Sequence, residues 1–335
     1  MKQSQNILLS VEGLKVHFLG DGPPARAVDG VDFTVRRQET VCIVGESGCG
    51  KTVTALAILG LLKQPPAVIA GGRITFDGRS LLDMPAEALR ELRGRRIGMI
   101  FQEPMTSLNP VFTIGDQIGE AVLTHEQVPA EAVRQRTVRL LDEVGIADAE
   151  QRIQDYPHQL SGGQRQRVMI AMALACEPDL IIADEPTTAL DVTVQAQILT
   201  LLKKLKQEKR MAVQYITHDL GVVAAIADRV YVMYAGIVVE QGTAGQIFDR
   251  ARHPYTMALL DALPTKEKRG QRLYSIPGSV PHPAYKPKGC PFHPRCRYRR
   301  SACETVYPDM CEYGRGHRAR CPVLFADALQ METSS

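Results

Sequence analysis

The sequence contains no tryptophan, an absence that decides nothing, and no long apolar run, an absence that decides a good deal. Its longest apolar stretch, near Ala55–Leu62, is interrupted by Gly60, whereas a membrane-spanning helix needs about 20 apolar residues. The first residues, Met1-Lys2-Gln3-Ser4-Gln5-Asn6, lack the apolar core of a secretory signal. Both absences predict a chain that stays in the cytoplasm; if it serves transport, the pore belongs to other polypeptides. Excess charge is also missing: the net value is +3, too small to argue for nucleic acid from charge alone. The chain is long enough for one large domain or a domain plus an extension, and 44% hydrophobic residues allow a substantial core.

What is present is unevenly distributed. Cys42, Cys49 and Cys176 are scattered, whereas Cys290, Cys296, Cys303, Cys311 and Cys321 fall within 32 residues. In a reducing compartment such clustering favours a metal site over disulfides. The spacing C-x5-C-x6-C-x17-C over Cys290, Cys296, Cys303 and Cys321 is not the short C-x2-C of common zinc knuckles. Four thiolates suit a [4Fe–4S] cluster and equally suit structural Zn²⁺, and Cys311 could replace Cys303 or Cys321. His293 and His317 are not needed if four cysteines suffice. Arg295, Arg297, Arg299, Arg300, Arg315, Arg318 and Arg320 surround these cysteines. They would offset a net negative cluster, contact anionic lipid heads, or form a solvated basic face.

Local patterning predicts strands at Ile7–Phe18, Val31–Val35 and Arg73–Phe76, with Asp77-Gly78 as a turn, hence an antiparallel patch. Thr40–Val44 reads as a buried strand and Lys51–Leu62 as a helix, the opening of an α/β nucleotide-binding core. From Thr113 to Gly145 the periodicity is helical: Ile114, Ile118, Ala121 and Val122 share one face, and Val133, Leu140, Leu141 and Val144 another. The α/β pattern resumes with a strand at Leu180–Ala183, a helix at Val194–Glu208 and a strand at Ala212–Thr217. A hairpin follows at Arg229–Val239 around Ala235-Gly236. Residues 264–321 are rich in Pro, Arg and Cys and poor in periodicity, an extension held by something other than a large apolar core.

Gly45-Glu46-Ser47-Gly48-Cys49-Gly50-Lys51-Thr52 fits G-x-x-x-x-G-K-[ST] and lies between a predicted strand and a predicted helix. Glycines let successive backbone N–H groups turn inward around phosphate oxygens, and the helix N-terminus adds its dipole. Lys51 is expected at the β- and γ-phosphates of ATP and the Thr52 hydroxyl on Mg²⁺. Cys49 sits where a thiol pKa tends to fall: an alkylatable cysteine whose modification blocks ATP, or, as the favoured reading for physiology, a tolerated variable position with no redox role. Leu180-Ile181-Ile182-Ala183-Asp184-Glu185 is an apolar strand ending in two carboxylates. Alternation would send Asp184 toward Mg²⁺ and Glu185 toward the attacking water as general base.

Leu160-Ser161-Gly162-Gly163-Gln164 resembles the signature of ABC ATPases. Ser161 can cap the following helix, and Gly162 and Gly163 leave N–H groups open to an anion. The resemblance extends to Gln102, in Phe101-Gln102-Glu103-Pro104, as the glutamine that senses Mg²⁺ and the transporter partner. Ala189-Leu190-Asp191 resembles the D-loop, and His218, in Thr217-His218-Asp219, the switch histidine at the γ-phosphate. Phe18 is a candidate for stacking on adenine, or a strand-end core aromatic. The resemblance implies an α/β fold: an ABC-type P-loop NTPase core with an antiparallel β subdomain, a helical subdomain about residues 103–176, and a Cys-rich C-terminal extension. It divides the chain into an ATPase domain at 1–250 and an extension at 251–335. It also implies a head-to-tail pair of cassettes, each ATP sandwiched between one phosphate loop and the partner's Ser161–Gln164 segment.

His253-Pro254-Tyr255-Thr256, Ser275-Ile276-Pro277-Gly278 and Gly289-Cys290-Pro291-Phe292-His293-Pro294-Arg295-Cys296 resemble the tail of the oligopeptide/dipeptide/nickel import ATPases, so the resemblance covers essentially the whole chain. It implies di- or oligopeptide uptake, two membrane permease subunits, a second ABC ATPase subunit (a paralogue by subfamily habit) and an extracytoplasmic peptide-binding protein. The place implied is the cytoplasmic face of the cell membrane, with no nucleic acid partner. The competing reading is a non-transport ABC ATPase whose metal-binding tail contacts nucleic acid. Against it, the tail offers base stacking only the scattered Tyr298, Tyr307 and Tyr313.

Overall fold

The computed structural model describes residues 6–188, 190–264, 270, 274–321 and 323. Its contacts divide the chain into two units. One comprises Met1–Leu8, Val35–Glu39 and Asp83–Tyr215, and the other Leu9–Thr34, Thr40–Leu82 and Ile216–Ser335. Of the residues singled out above, Ala189 and the segment before Asn6 lie outside the described residues.

The second unit holds most of an antiparallel sheet made of β1 (Ile7–Phe18), β2 (Ala25–Arg36), β4 (Ala67–Phe76) and β5 (Arg79–Ser80), in the order β2-β1-β4-β5. Leu9, Val11, Leu14 and Val16 of β1 are buried. β3 (Thr40–Val44) runs parallel to β9 (Arg229–Tyr234), pairing Val41 with Arg229 through Val44 with Val232. Every residue of β3 is buried, as a strand covered on both faces must be. β9 turns back into β10 (Ile237–Thr243) through Ala235 at φ +48° and Gly236 at φ +83°, the two positive values that a tight hairpin with the twist of its strands requires. The C-terminal segment then extends this sheet. β12 (His317–Ala319) pairs with β10, and β11 (Cys311–Gly314) pairs with β12. The helices of this unit are α1 (Lys51–Ile58), α9 (Leu220–Ile226), α10 (Ala244–Arg250) and α11 (Pro254–Asp261).

The first unit contains β6 (Ile97–Ile100), β7 (Leu180–Asp184) and β8 (Ala212–Thr217), adjacent in that order, with β6 and β7 parallel. Seven helices accompany them: α2 (Ala86–Leu92), α3 (Pro104–Ser107), α4 (Ile114–Leu123), α5 (Ala130–Glu143), α6 (Ala149–Arg152), α7 (Gly162–Leu174) and α8 (Val192–Glu208). Thr113 caps α4 in a reciprocal pair with Asp116. The buried stripe Ile114, Ile118, Val122 faces the helical layer, as do Val133, Leu140 and Leu141 of α5.

Three local expectations shift. The helix predicted to reach Leu62 stops at Ile58, with Leu59 as its C-cap and Gly60 at φ +59°. The strands predicted at Val31–Val35 and Arg73–Phe76 are longer, because cross-strand pairing supplies hydrogen bonds that local alternation does not reveal. The tail that lacked periodicity contributes two strands, since an edge strand needs only a partner's exposed N–H and C=O groups. Among the described residues no helix is long and apolar enough to cross a membrane.

Candidate nucleotide site and a cysteine-lined cavity

β3 ends at Val44, and the chain wraps through Gly45–Gly50 into α1. Two glycines are obligatory for close approach. A Cβ on Gly45 would meet the Met233 carbonyl oxygen at 2.2 Å, and one on Gly50, at φ +104°, the Ala27 carbonyl oxygen at 2.5 Å. Gly50 is the N-cap of α1 and supplies no side-chain cap, and a helix N-terminus favours an anion. The Lys51 ammonium is buried and donates to the carbonyls of Gly45 at 2.8 Å and Glu46 at 3.1 Å. Thr52 is exposed at the head of the helix. The expectation of an activated Cys49 is reversed. Its thiol is fully buried, and that burial pushes its pKa up against the opposing pull of Lys51, so desolvation outweighs the helix terminus.

Glu46 is held from the C-terminal segment. Its carboxylate receives two bonds from the Arg295 guanidinium, and its N–H donates to the Tyr255 hydroxyl at 2.9 Å. Burial pushes the Tyr255 phenol far up, so it stays protonated. His253 caps α11 by accepting from the Tyr255 N–H, and burial pushes its pKa down to about 3, so it is neutral.

The remaining candidates divide between the units. Phe18, half-buried at the end of β1, and His218, exposed after β8, belong with the phosphate loop. Gln102, Ser161–Gln164, Asp184 and Glu185 belong to the other unit. Asp184 is the last residue of β7 and is buried. Glu185 does not continue the strand alternation expected of it. It turns at φ +44°, and its carboxylate accepts from the Thr188 hydroxyl at 2.9 Å. Ser161 caps α7 and shares a reciprocal pair with Gln164: the Gln164 N–H donates to Ser161 Oγ, and the Ser161 N–H donates to Gln164 Oε1. Asp191 caps α8 through the Val194 N–H, and Gln102 is exposed beyond β6.

In the C-terminal segment a cavity of about 110 Å³ is lined by Cys290, Cys296, Cys303 and Cys321, together with Phe292 and Arg320. Cys311 is not part of that lining; it lies half-buried in β11. Burial pushes the Cys290 thiol up to about 11, with Cys296 and Cys303 adding to it. Among the described residues, no three or more His, Cys, Asp or Glu side chains form a group that could hold a metal ion.

The arginines around the cysteines have separate partners. Arg297 pairs with Asp261, Arg299 with Glu304 and Arg318 with Glu312, while Arg320 donates to the Val238 carbonyl. His317 sits 2.8 Å from the fully buried Glu240, which also accepts the Arg252 and His253 N–H groups. His293 Nδ1 lies 3.0 Å from the Cys290 carbonyl. No local pattern pointed to the roles of Arg295 and Tyr255, because Glu46 is 249 and 209 residues away from them.

Residues 28–188 match the ABC transporter family, and residues 239–303 match the oligopeptide/dipeptide transporter C-terminal region. The chain is 50% identical over 321 residues to the dipeptide transport ATP-binding protein DppD of Escherichia coli (strain K12), covering 96% of this chain and 98% of that protein. The chain belongs to the ABC transporter ATP-binding family. This ABC protein is also 51% identical, over 94% of its own length and 95% of the relative's, to a probable peptide ABC transporter ATP-binding protein, y4tR, of Sinorhizobium fredii. Among solved structures, it resembles a dimeric post-hydrolysis state of the ATP-binding cassette MJ0796 bound to ADP and Pi. The TM-score is 0.64 at 28% identity, covering 71% of this chain and 99% of that one. The nucleic-acid reading of the tail finds no support among these relatives of the ABC protein.

Proposed function

We propose that this chain is the ATP-hydrolysing subunit that energises import of di- or oligopeptides through a membrane ABC transporter. The observation that carries this is the end-to-end match to peptide-import ATP-binding proteins, which includes the C-terminal region as well as the cassette. The division into an ATPase domain at 1–250, with its helical part about 103–176, and an extension at 251–335 follows the same reading. The partners are two membrane permease subunits, an extracytoplasmic peptide-binding protein and a second, paralogous ABC ATPase, with the chain peripheral on the cytoplasmic face.

In this reading the N–H groups of Gly45, Glu46, Ser47, Gly48, Cys49 and Gly50, with Lys51, bind the phosphates of ATP. The buried ammonium and the uncapped start of α1 support that role. By the family resemblance, Thr52, Asp184 and Gln102 would hold Mg²⁺, which would offset phosphate charge. Glu185 orients and polarises the attacking water, and His218 contacts the γ-phosphate. Ser161, Gly162, Gly163 and Gln164 present a capped helix N-terminus to the ATP of the facing cassette, and Phe18 stacks on adenine. The reading is tested by purifying the chain with its neighbouring membrane subunits and measuring peptide uptake. ATP-dependent accumulation of peptide is expected; ATP turnover without any membrane partner or peptide dependence would overturn it.

We also propose that Cys290, Cys296, Cys303 and Cys321 hold a [4Fe–4S] cluster rather than Zn²⁺. The donor set is all sulfur, and four thiols line one cavity. Four thiolates suit either group, but the C-x5-C-x6-C-x17-C spacing is not the short C-x2-C of common zinc knuckles. Protein purified anaerobically is expected to be brown and to carry about four irons and four sulfides per chain. Cys303→Ser should lose them and Cys311→Ser should keep them. Stoichiometric zinc without iron would overturn the assignment.

A further inference from the structure

All three polar groups of Glu46 are engaged. Its carbonyl accepts from Lys51, within the loop. Its N–H and its carboxylate are held by Tyr255 and Arg295, both from the C-terminal segment. The Arg295 pair is bidentate, at 2.8 Å from Nη1 to one carboxylate oxygen and 2.9 Å from Nη2 to the other. The arginine side chain is only 4% exposed. Its Nε donates to the Pro277 carbonyl at 2.8 Å, and its guanidinium lies 5.7 Å from the centre of the Tyr234 ring. Tyr234, Tyr255 and Phe292 pack against one another with centroids 4.7–5.3 Å apart, so the tether rests on a rigid aromatic base. Exposed ion pairs contribute little, but a planar fork fixed on three sides and buried loses little entropy and fixes its partner's position.

We propose that Arg295 is a positioning residue for the phosphate loop: by clamping and neutralising the Glu46 carboxylate it lets the C-terminal segment set the chain's affinity for nucleotide. The inference rests on the reading of Gly45–Thr52 as an ATP site. Two physical effects act together. The clamp fixes the second residue of a loop whose backbone must curve around phosphate. The guanidinium also cancels a carboxylate that would otherwise sit in that loop and repel a polyanion. Because Arg295 directly precedes Cys296, whatever orders the cysteine-lined cavity also orders the clamp.

The test measures MgATP affinity by titration calorimetry on the full-length chain for the parent, Arg295→Gln, Arg295→Lys, Glu46→Gln and the Arg295→Gln/Glu46→Gln double variant. Iron content and melting temperature are followed for each. Arg295→Gln is expected to weaken MgATP binding about fivefold or more, with Arg295→Lys intermediate because it keeps charge but not the fork. In steady-state hydrolysis most of the change should appear in KM rather than kcat. The double variant should bind no worse than Arg295→Gln alone, since removing the carboxylate removes what the arginine neutralised. Parent-like affinity in Arg295→Gln, or two deficits that simply add, would overturn the proposal. Should Arg295→Gln fail to fold, Glu46→Gln, which leaves the cysteine segment untouched, and Arg295→Lys carry the same comparison. A parent chain that binds no MgATP would instead sink the reading of the site itself.

Discussion

Glu185→Gln binds ATP as the parent chain does and hydrolyses it at least about a hundredfold more slowly, the loss expected when a positioned general base is removed. The substitution keeps the shape of the side chain and an oxygen that can still accept from Thr188 Oγ, which now lies 2.9 Å from the carboxylate. The turn at φ +44° that aims residue 185 away from the strand is untouched. Folding and phosphate binding therefore have no reason to change, because the substitution leaves the phosphate-binding residues Gly45–Thr52 themselves intact. What is lost is the negative charge that polarises water. Single-turnover hydrolysis, measured beside equilibrium ATP binding, separates the two quantities. Parent-like turnover would remove Glu185 from the mechanism.

Gly50→Ala should be strongly damaging for a single methyl in the phosphate loop. The new Cβ would lie 2.5 Å from the Ala27 carbonyl oxygen, a backbone atom that cannot rotate aside, and φ is +104°. Left-handed strain costs about 1–3 kcal/mol and forced overpacking a similar amount, so a loss of about 2–5 kcal/mol is expected. The relief available is for the loop to move off β2, which would swing the N–H groups at the head of α1 away from any phosphate. ATP binding should therefore fall with stability. Gly48→Ala is the internal control: φ is +78° there, but nothing lies within 4 Å of its Cβ, so only about 1 kcal/mol of conformational strain is expected. Urea denaturation of both variants decides the matter, and equal stabilities would show that the Ala27 contact does not constrain the loop.

The motifs were legible because each is a run of consecutive residues whose chemistry is local. Gly45–Thr52 fits its motif through its own glycines and lysine, and Ser161 with Gln164 closes a cap three residues wide. The Ala235-Gly236 hairpin was equally readable, since turn type depends on two φ values. Cys49 shows the limit of such reading. Its place at a helix N-terminus argued for a low thiol pKa, but burial, which depends on the surrounding fold, pushed it the other way. Glu185 shows another. Alternation along β7 predicted its direction from its neighbours, and a single left-handed residue cancelled that prediction.

The sequence by itself determined the family and its hydrolytic chemistry, because the motif for phosphate recognition by backbone N–H groups needs only a short ordered string of small residues and one lysine. Tertiary structure gathered the four cysteines singled out by spacing around one cavity and left Cys311 out of its lining, and it divided the arginines around them among separate partners. It alone joined Glu46 to Arg295 across 249 residues. Desolvation, cavity lining and ion pairing between distant segments are properties of packing, and no local pattern of residue types encodes them.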